Sequence, residues 1–213
     1  AKIMKTLLLI QSTPRGNCSN TMPLAEHFIN ALQANGESWN IDKLNLWDES
    51  LPAMDGDILD AKYAFFQGQA LTEKQAAGWS QVRRHLDRFR HADVVVLVMP
   101  IWNFGVPYVL KHYIDVITQP GLCFSWSPDA GYQSLLDTKK AFLLSSSGQD
   151  FRVGSGNEQD DFGLTYIERW LKTYMNCEVE TVAFAPTIAE EARVIEAKEQ
   201  AYSQAWNLAQ SFN

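Results

Sequence analysis

The chain has 213 residues, 46% hydrophobic and 20% charged, so it can build a core and is not a disordered chain. Eighteen Lys and Arg against 25 Asp and Glu give a formal charge of −7. That balance excludes a general nucleic-acid binder, which needs a basic face for phosphates. The longest apolar run, Val94 to Met99, is far too short to span a bilayer, so no membrane partner is expected. Lys2 and Lys5 lead directly into a strand-like run with no small-residue cleavage site, so the expectation is a cytoplasmic chain without a signal peptide. Cys18, Cys123 and Cys177 are widely spaced and include no C-x-x-C, which implies neither a disulfide framework nor a zinc site.

Met4 to Ile10 reads as a strand buried on both faces. Polar Gln11 to Thr21 follows, and then Met22, Ala25, Phe28, Ile29 and Leu32 recur at helical spacing until Asn35-Gly36 stops them. Trp39, Ile41, Leu44 and Leu46 suggest a second strand with slipping alternation. Residues 47–70 read as a loop with one helical turn around Ile58 to Phe66. Thr72 and Gln75 have capping-box spacing ahead of the stripe Trp79, Val82, Leu86 and Phe89. Asp93 to Met99 is the strongest strand, and Pro107 opens a helix through Val109, Leu110, Tyr113, Ile114 and Ile117. Turn-rich Thr118 to Asp137 precedes a fourth strand, Lys140 to Ser145. A second such stretch, Ser146 to Asp161, leads to a helix with Leu164, Ile167, Leu171 and Tyr174 on one side. Val179 to Ala185 is the last strand, and Thr187 with Glu190 places a capping box at the closing helix.

Five strand–helix alternations without repeats predict one α/β domain over residues 1–213, a parallel sheet with helices on both faces. Five strands favour the flavodoxin-like order 2-1-3-4-5, with ligands at the carboxyl ends of the strands. Three loops lie there: Gln11–Thr21, Pro100–Pro107 and Ser146–Asp161.

In the first loop, Ser12, Ser19, Asn20 and Thr21 precede a helix whose free N–H groups attract anions, an arrangement suited to phosphate. The plainer alternative is that Ser19 or Asn20 caps that helix. There is no Walker motif and no G-x-G-x-x-G after the first strand. Six positions beyond the cysteines stand Leu24, Asp129 and Ala183 rather than the arginine of a cysteine phosphatase. Gln11-Ser12 and Met99-Pro100 replace the acids of a phospho-acceptor domain. The second loop, Pro100-Ile101-Trp102-Asn103-Phe104-Gly105-Val106-Pro107, forms a stiff apolar ledge for a flat ring, with Asn103 offering both donor and acceptor. Ordinary packing is the competing account of its aromatics. In the third, Ser145-Ser146-Ser147-Gly148 lets backbone N–H groups face a ligand, and Arg152 to Asp161 reads as a mobile segment or lid. No G-x-S-x-G elbow occurs, and His27, His85, His91 and His112 all fall on helices or their ends without metal-ligand spacing. With no nucleophile or general base at the mouth, a bound cofactor is expected to carry the chemistry, and no catalytic side chain is assigned.

The phosphate-type loop from Ser12 to Ser19-Asn20-Thr21, the segment Met99-Pro100-Ile101-Trp102-Asn103-Phe104 with its helix through Lys111-His112-Tyr113-Ile114-Asp115, and Gly121-Leu122-Cys123-Phe124 followed by Gly131 and Lys139-Lys140-Ala141 together resemble the FMN-dependent NADH-azoreductases and NADH:quinone oxidoreductases. This resemblance spans nearly the whole chain. It implies FMN with its phosphate at Ser12, Ser19, Asn20 and Thr21, its ring along Pro100, Ile101, Trp102, Asn103 and Phe104, and its far edge at Ser146, Ser147 and Gly148. It also implies NADH as electron donor, a quinone or azo compound as acceptor, ping-pong hydride transfer through flavin N5, and a homodimer. Trp102, Ser147 and Gln149 depart from the family's usual tyrosine, arginine and glycine, and the third loop is longer. Trp102, Phe124 and Phe151 are candidate pocket walls. The alternatives are a flavodoxin-type electron carrier working with a partner protein and, with no visible nucleophile–base pair, a hydrolase on the same sheet.

Overall fold

The computed structural model describes residues 4–212; Lys2 and the ends of the 1–213 span lie outside them. Five parallel strands, β1 (Lys5–Gln11), β2 (Trp39–Asn45), β3 (Val94–Pro100), β6 (Lys139–Ser146) and β7 (Cys177–Phe184), form one sheet in the order β2-β1-β3-β6-β7. Counting only these five in chain order, the arrangement is 2-1-3-4-5, the flavodoxin-like order that the strand count predicts. β1 and β3 run through the middle, Leu7↔Val94 to Gln11↔Val98, and β3 continues into β6 up to Pro100↔Ser146. Central strands bury both faces, which explains their unbroken Leu and Val runs.

Alternate residues serve opposite layers. Leu7, Leu9, Val96, Val98, Phe142 and Leu144 pack beneath α1 (Thr21–Gln33) and α6 (Glu191–Ser211). α6 meets that layer with Ala197, Ala201, Ala205 and Ala209, a ridge at four-residue spacing that lets the helix lie close. Leu8, Ile10, Val95, Leu97, Ala141 and Leu143 face α3 (Glu73–His91), α4 (Tyr108–Ile117) and α5 (Leu164–Thr173). The Thr72–Gln75 capping box is present: Gln75 N–H donates to Thr72 Oγ1 at 3.2 Å and Thr72 N–H to Gln75 Oε1 at 3.0 Å. At the other end of α3 the buried Lys139 ammonium donates to the carbonyls of Phe89, Arg90 and Ala92 at 2.7, 2.9 and 2.6 Å. A cation on a helix's last carbonyls satisfies groups the helix itself cannot.

Three expectations differ from the structure. The single turn near Ile58 is a full helix, α2 (Gly56–Phe66), capped by Asp55, whose carboxylate accepts from Ile58 N–H. The turn-rich stretch after α4 holds an antiparallel hairpin, β4 (Phe124–Ser127) with β5 (Gly131–Ser134). Thr187 does not cap α6; its N–H and hydroxyl donate to Ser147 O at 3.0 and 3.1 Å, and α6 starts at Glu191. Among the described residues no helix is long and apolar enough to cross a membrane.

Candidate active site

The loops after β1, β3 and β6 meet at the carboxyl edge of the sheet, and Ser146 joins them. Its hydroxyl lies 3.2 Å from that of Thr21 at the head of α1, and its carbonyl accepts from Ile101 N–H at 3.1 Å. Both hydroxyl-bearing residues are buried.

In the first loop, Ser19 performs the capping that the plainer alternative assigned to it. Its hydroxyl donates to Gly16 O at 2.7 Å and accepts from Met22 N–H at 3.0 Å, whereas Asn20 makes no side-chain cap bond. The N–H groups of Asn20 and Thr21 find no acceptor among the described residues, and the first turn of α1 carries no acidic side chain. Open N–H groups at a positive helix end make an anion site. Ser12 sits differently from the expectation of a ligand-facing hydroxyl. It is fully buried, and both its N–H and Oγ donate to Val98 O, at 3.0 and 2.8 Å, so it fastens the loop to β3.

The second loop turns between Trp102 and Gly105, which exchange backbone bonds at 3.0 and 2.9 Å. Both residues inside the turn are left-handed, Asn103 at φ 50° and Phe104 at φ 66°. Asparagine tolerates this region, but for phenylalanine it costs roughly 1–2 kcal/mol. Such strain persists where surroundings over-determine it. Here Phe104 O accepts from Phe162 N–H at 3.1 Å, and the Phe104 ring stands edge-on to Phe151 at 6.1 Å. Gly163 is part of the same clamp, since a Cβ there would lie 2.5 Å from Ile101 Cδ1 and 3.3 Å from Gly105 O. The result projects Trp102, Asn103 and Phe104 outward, each exposed, with the Asn103 amide making no bond to protein among the described residues.

Sequence reasoning missed Trp47, just past β2. Its indole N–H donates to Ser12 O at 2.9 Å, and its ring lies 5.9 Å from Trp102 and 5.2 Å from Tyr108, edge-on to the latter. It links the first loop to the aromatic ledge. Its place at the carboxyl end of the strand beside β1 was the available signal.

In the third loop, Ser147 and Gly148 are held through their carbonyls by the N–H groups of Thr187 and Ile188, at 3.0 and 3.2 Å. The Ser147 hydroxyl donates to Gln149 O. Burial opposes ionisation of Asp150, but two bonds from the Arg152 guanidinium, both 2.8 Å, outweigh it and lower its pKa. Arg152 also reaches Ala185 O, and the segment ends on Asp161, whose carboxylate accepts from the N–H groups of Gly163, Leu164 and Thr165. The stretch read as a mobile segment is thus fastened at both ends, at Arg152 and at Asp161, with Val153 fully outward between them.

The chain as a whole matches known proteins. The profile of the family described as "Flavodoxin-like fold" matches residues 4–207. The FMN-dependent NADH:quinone oxidoreductase of Ruegeria pomeroyi is 42% identical over 190 residues, 87% of this chain and 91% of that one. This chain belongs to the FMN-dependent NADH:quinone oxidoreductase family. The protein of that name from Desulfotalea psychrophila is 37% identical, with 89% of each chain covered. An FMN-dependent NADH-azoreductase from Bacillus anthracis, solved in complex with FMN, superposes with a TM-score of 0.85 over 97% of this chain and all of that one. At 23% identity that likeness speaks for the fold.

Within this oxidoreductase, Phe124 and Phe151 do not share a pocket. Phe151 is buried beneath the Trp102–Gly105 turn. Phe124 sits on the hairpin, 4.7 Å edge-on from Tyr174 and 5.7 Å from Tyr132, and lines a separate cavity. The two loops carrying them leave opposite ends of β6, a separation that residue type alone does not reveal.

Proposed function

We propose that the protein binds FMN and uses NADH to reduce quinones and azo compounds. The observation that carries this reading is the pair of open N–H groups at Asn20 and Thr21, joined through Thr21 and Ser146 to an exposed aromatic ledge. An anion at the helix head and a flat ring on the ledge together describe a flavin mononucleotide. The open N–H groups of Asn20 and Thr21 would hold the phosphate, Ser19, whose own N–H and hydroxyl both go to Gly16 O, would fix the helix head beside it, and Ser12 would shape the loop from beneath. Pro100, Ile101, Trp102, Asn103 and Phe104 would carry the ring, with the free amide of Asn103 offering donor and acceptor to its polar edge. Ser146, Ser147 and Gly148 would close the far side; the Ser147 N–H is spent on Phe184 O at 3.3 Å, and the Gly148 N–H, which finds no acceptor among the described residues, is the one available to negative charge there. FMN held there would supply two-electron hydride chemistry through its N5, from NADH to a quinone or azo compound in ping-pong order. No protein side chain serves as nucleophile in this scheme.

The family's shared names support the donor and the quinone. We further propose a single cytoplasmic domain acting as a homodimer. Exposed Leu59, Tyr63 and Phe66 on α2 and Trp126 and Tyr132 on the hairpin support pairing.

Titrating the flavin-free protein with FMN while recording the visible spectrum tests the site. Steady-state NADH oxidation with a soluble quinone and no partner protein tests the activity. Folded protein that stays colourless ends the proposal. Yellow protein with no turnover is instead an electron carrier.

A further inference from the structure

Beyond the carboxyl ends of β6 and β7, an open cleft of about 660 Å³ runs from Gly148 to the first turn of α6. None of its lining residues belongs to α2 or the hairpin, the face given above to a second copy. Two aliphatic side chains line it without being covered, Ile188 at 83% and Val153 at 96% exposure. Ile188 is nonetheless fixed in place. Its N–H donates to Gly148 O at 3.2 Å, and its side chain lies over Gly148, where a Cβ would come within 2.9 Å of Cδ1. A branched side chain that is held yet left in water offers a flat group a surface needing no further ordering. The charges divide into a spent pair and an exchangeable cation. Arg152 is spent, with two 2.8 Å bonds to Asp150 and a third to Ala185 O. Arg193, in the first turn of α6, meets only Glu196, in an exposed pair of the kind worth little. Its half-exposed guanidinium is open to a ligand. Glu190 and Glu191, just before it at the helix head, are exposed as well.

An aliphatic clamp beside one guanidinium, opening directly off the edge assigned to the flavin ring, has the chemistry of a nucleoside diphosphate site. We infer that this cleft holds the adenosine diphosphate half of the NADH donor, with the adenine against Ile188 and Val153 and the pyrophosphate on Arg193. Arginine suits that role because its fork matches phosphate oxygens two at a time. The same arrangement selects NADH over NADPH. A 2′-phosphate adds a further dianion, and the lining offers it no second unspent cation, while Glu190 and Glu191 stand exposed beside Arg193. The donor's place in the cleft rests on the proposed function; binding of a nucleoside diphosphate there does not.

Two measurements on the FMN-loaded protein test the inference. Isothermal titration with ADP should show binding that Arg193→Gln weakens about tenfold and Arg193→Lys weakens less. Steady-state quinone reduction should then compare NADH with dihydronicotinamide riboside, which keeps the hydride and lacks the whole adenosine diphosphate. The parent should favour NADH in kcat/KM by about tenfold or more, and Arg193→Gln should cut that ratio about tenfold. NADPH should fall about fivefold or more below NADH. An unchanged flavin spectrum in Arg193→Gln confirms that the fold is intact. Absence of ADP binding, ADP binding indifferent to Arg193→Gln, a ratio near one in the parent, or NADPH used as well as NADH overturns the inference. Arg193-dependent ADP binding by a protein that oxidises neither donor sinks the proposed activity and leaves the site standing. Turnover with no preference for the longer donor does the reverse.

Discussion

Replacing Phe104 by alanine and, separately, by glycine divides its two contributions. Both variants lose the ring, which is half exposed and edge-on to Phe151. Half of a phenylalanine's burial plus an aromatic pair is worth roughly 1.5–2 kcal/mol. Only glycine also escapes the left-handed penalty at φ 66°, roughly 1–2 kcal/mol. Against that, glycine loosens the unfolded chain by about 0.4–1 kcal/mol. Phe104→Gly should therefore be the more stable of the two by about 1 kcal/mol, or 2–4 °C in Tm for a chain of this size. Thermal melts of both flavin-free variants, run beside the parent, measure this difference directly. FMN titrations add a second readout: equal weakening assigns the effect to the ring, greater weakening in the glycine variant to the stiffness of the turn. An alanine variant melting at or above the glycine variant refutes the claim that this backbone is strained.

Lys139→Met removes the donor shared by three carbonyls at the end of α3, two of them in buried bonds, and should cost about 2–4 kcal/mol by urea unfolding; a loss under about 0.5 kcal/mol would mean that water replaces the ammonium freely. Burial, reinforced by Arg84, lowers the pKa of fully buried His85, so below about 6.5 the unfolded chain binds a proton that the native state refuses. Stability should fall as pH drops through that value, and His85→Leu should flatten this limb; parallel profiles for the two proteins would contradict it. Trp47→Phe keeps an aromatic ring but deletes the bond to Ser12 O, and should weaken FMN binding by about two- to tenfold, read by flavin fluorescence. An unaltered dissociation constant would make Trp47 a packing residue only.

The sheet was legible because burial on both faces leaves one kind of residue. Val94 to Met99 can hardly be anything but a central strand, and each of the other four announces itself by a similar run or by a preceding turn. Capping chemistry was legible where the partner is local, as in Thr72–Gln75. It failed at Thr187, where the same spacing is outbid by Ser147 O, forty residues away in sequence. α2 was read at the right place but as a single turn, because Leu59, Tyr63, Phe65 and Phe66 are exposed while Ile58 and Ala61 are buried, so apolar residues ring the helix and no stripe forms. The hairpin escaped because four-residue strands offer only two alternations each.

For the site, residue types singled out three loops that the structure brings together at one edge of the sheet, yet the direction of each side chain depended on neighbours distant in sequence. Ser12 and Ser19 look alike as small hydroxyl residues before a helix. One turns into the sheet because Val98 O lies beside it, and the other caps α1 because the turn at Gly16 presents a carbonyl. Ser146 explains why such choices add up to a site. Its register opposite Pro100 lets its carbonyl extend the β3–β6 ladder to Ile101, and the side-chain alternation then aims its hydroxyl at Thr21 under α1. The aromatic ledge and the helix head are thus fixed to one residue of the central sheet. Their spacing is set by strand geometry, with little left to loop flexibility. A ligand that needs an anion site and a flat shelf at a constant separation finds both already in place, and spends correspondingly less binding energy on ordering the protein.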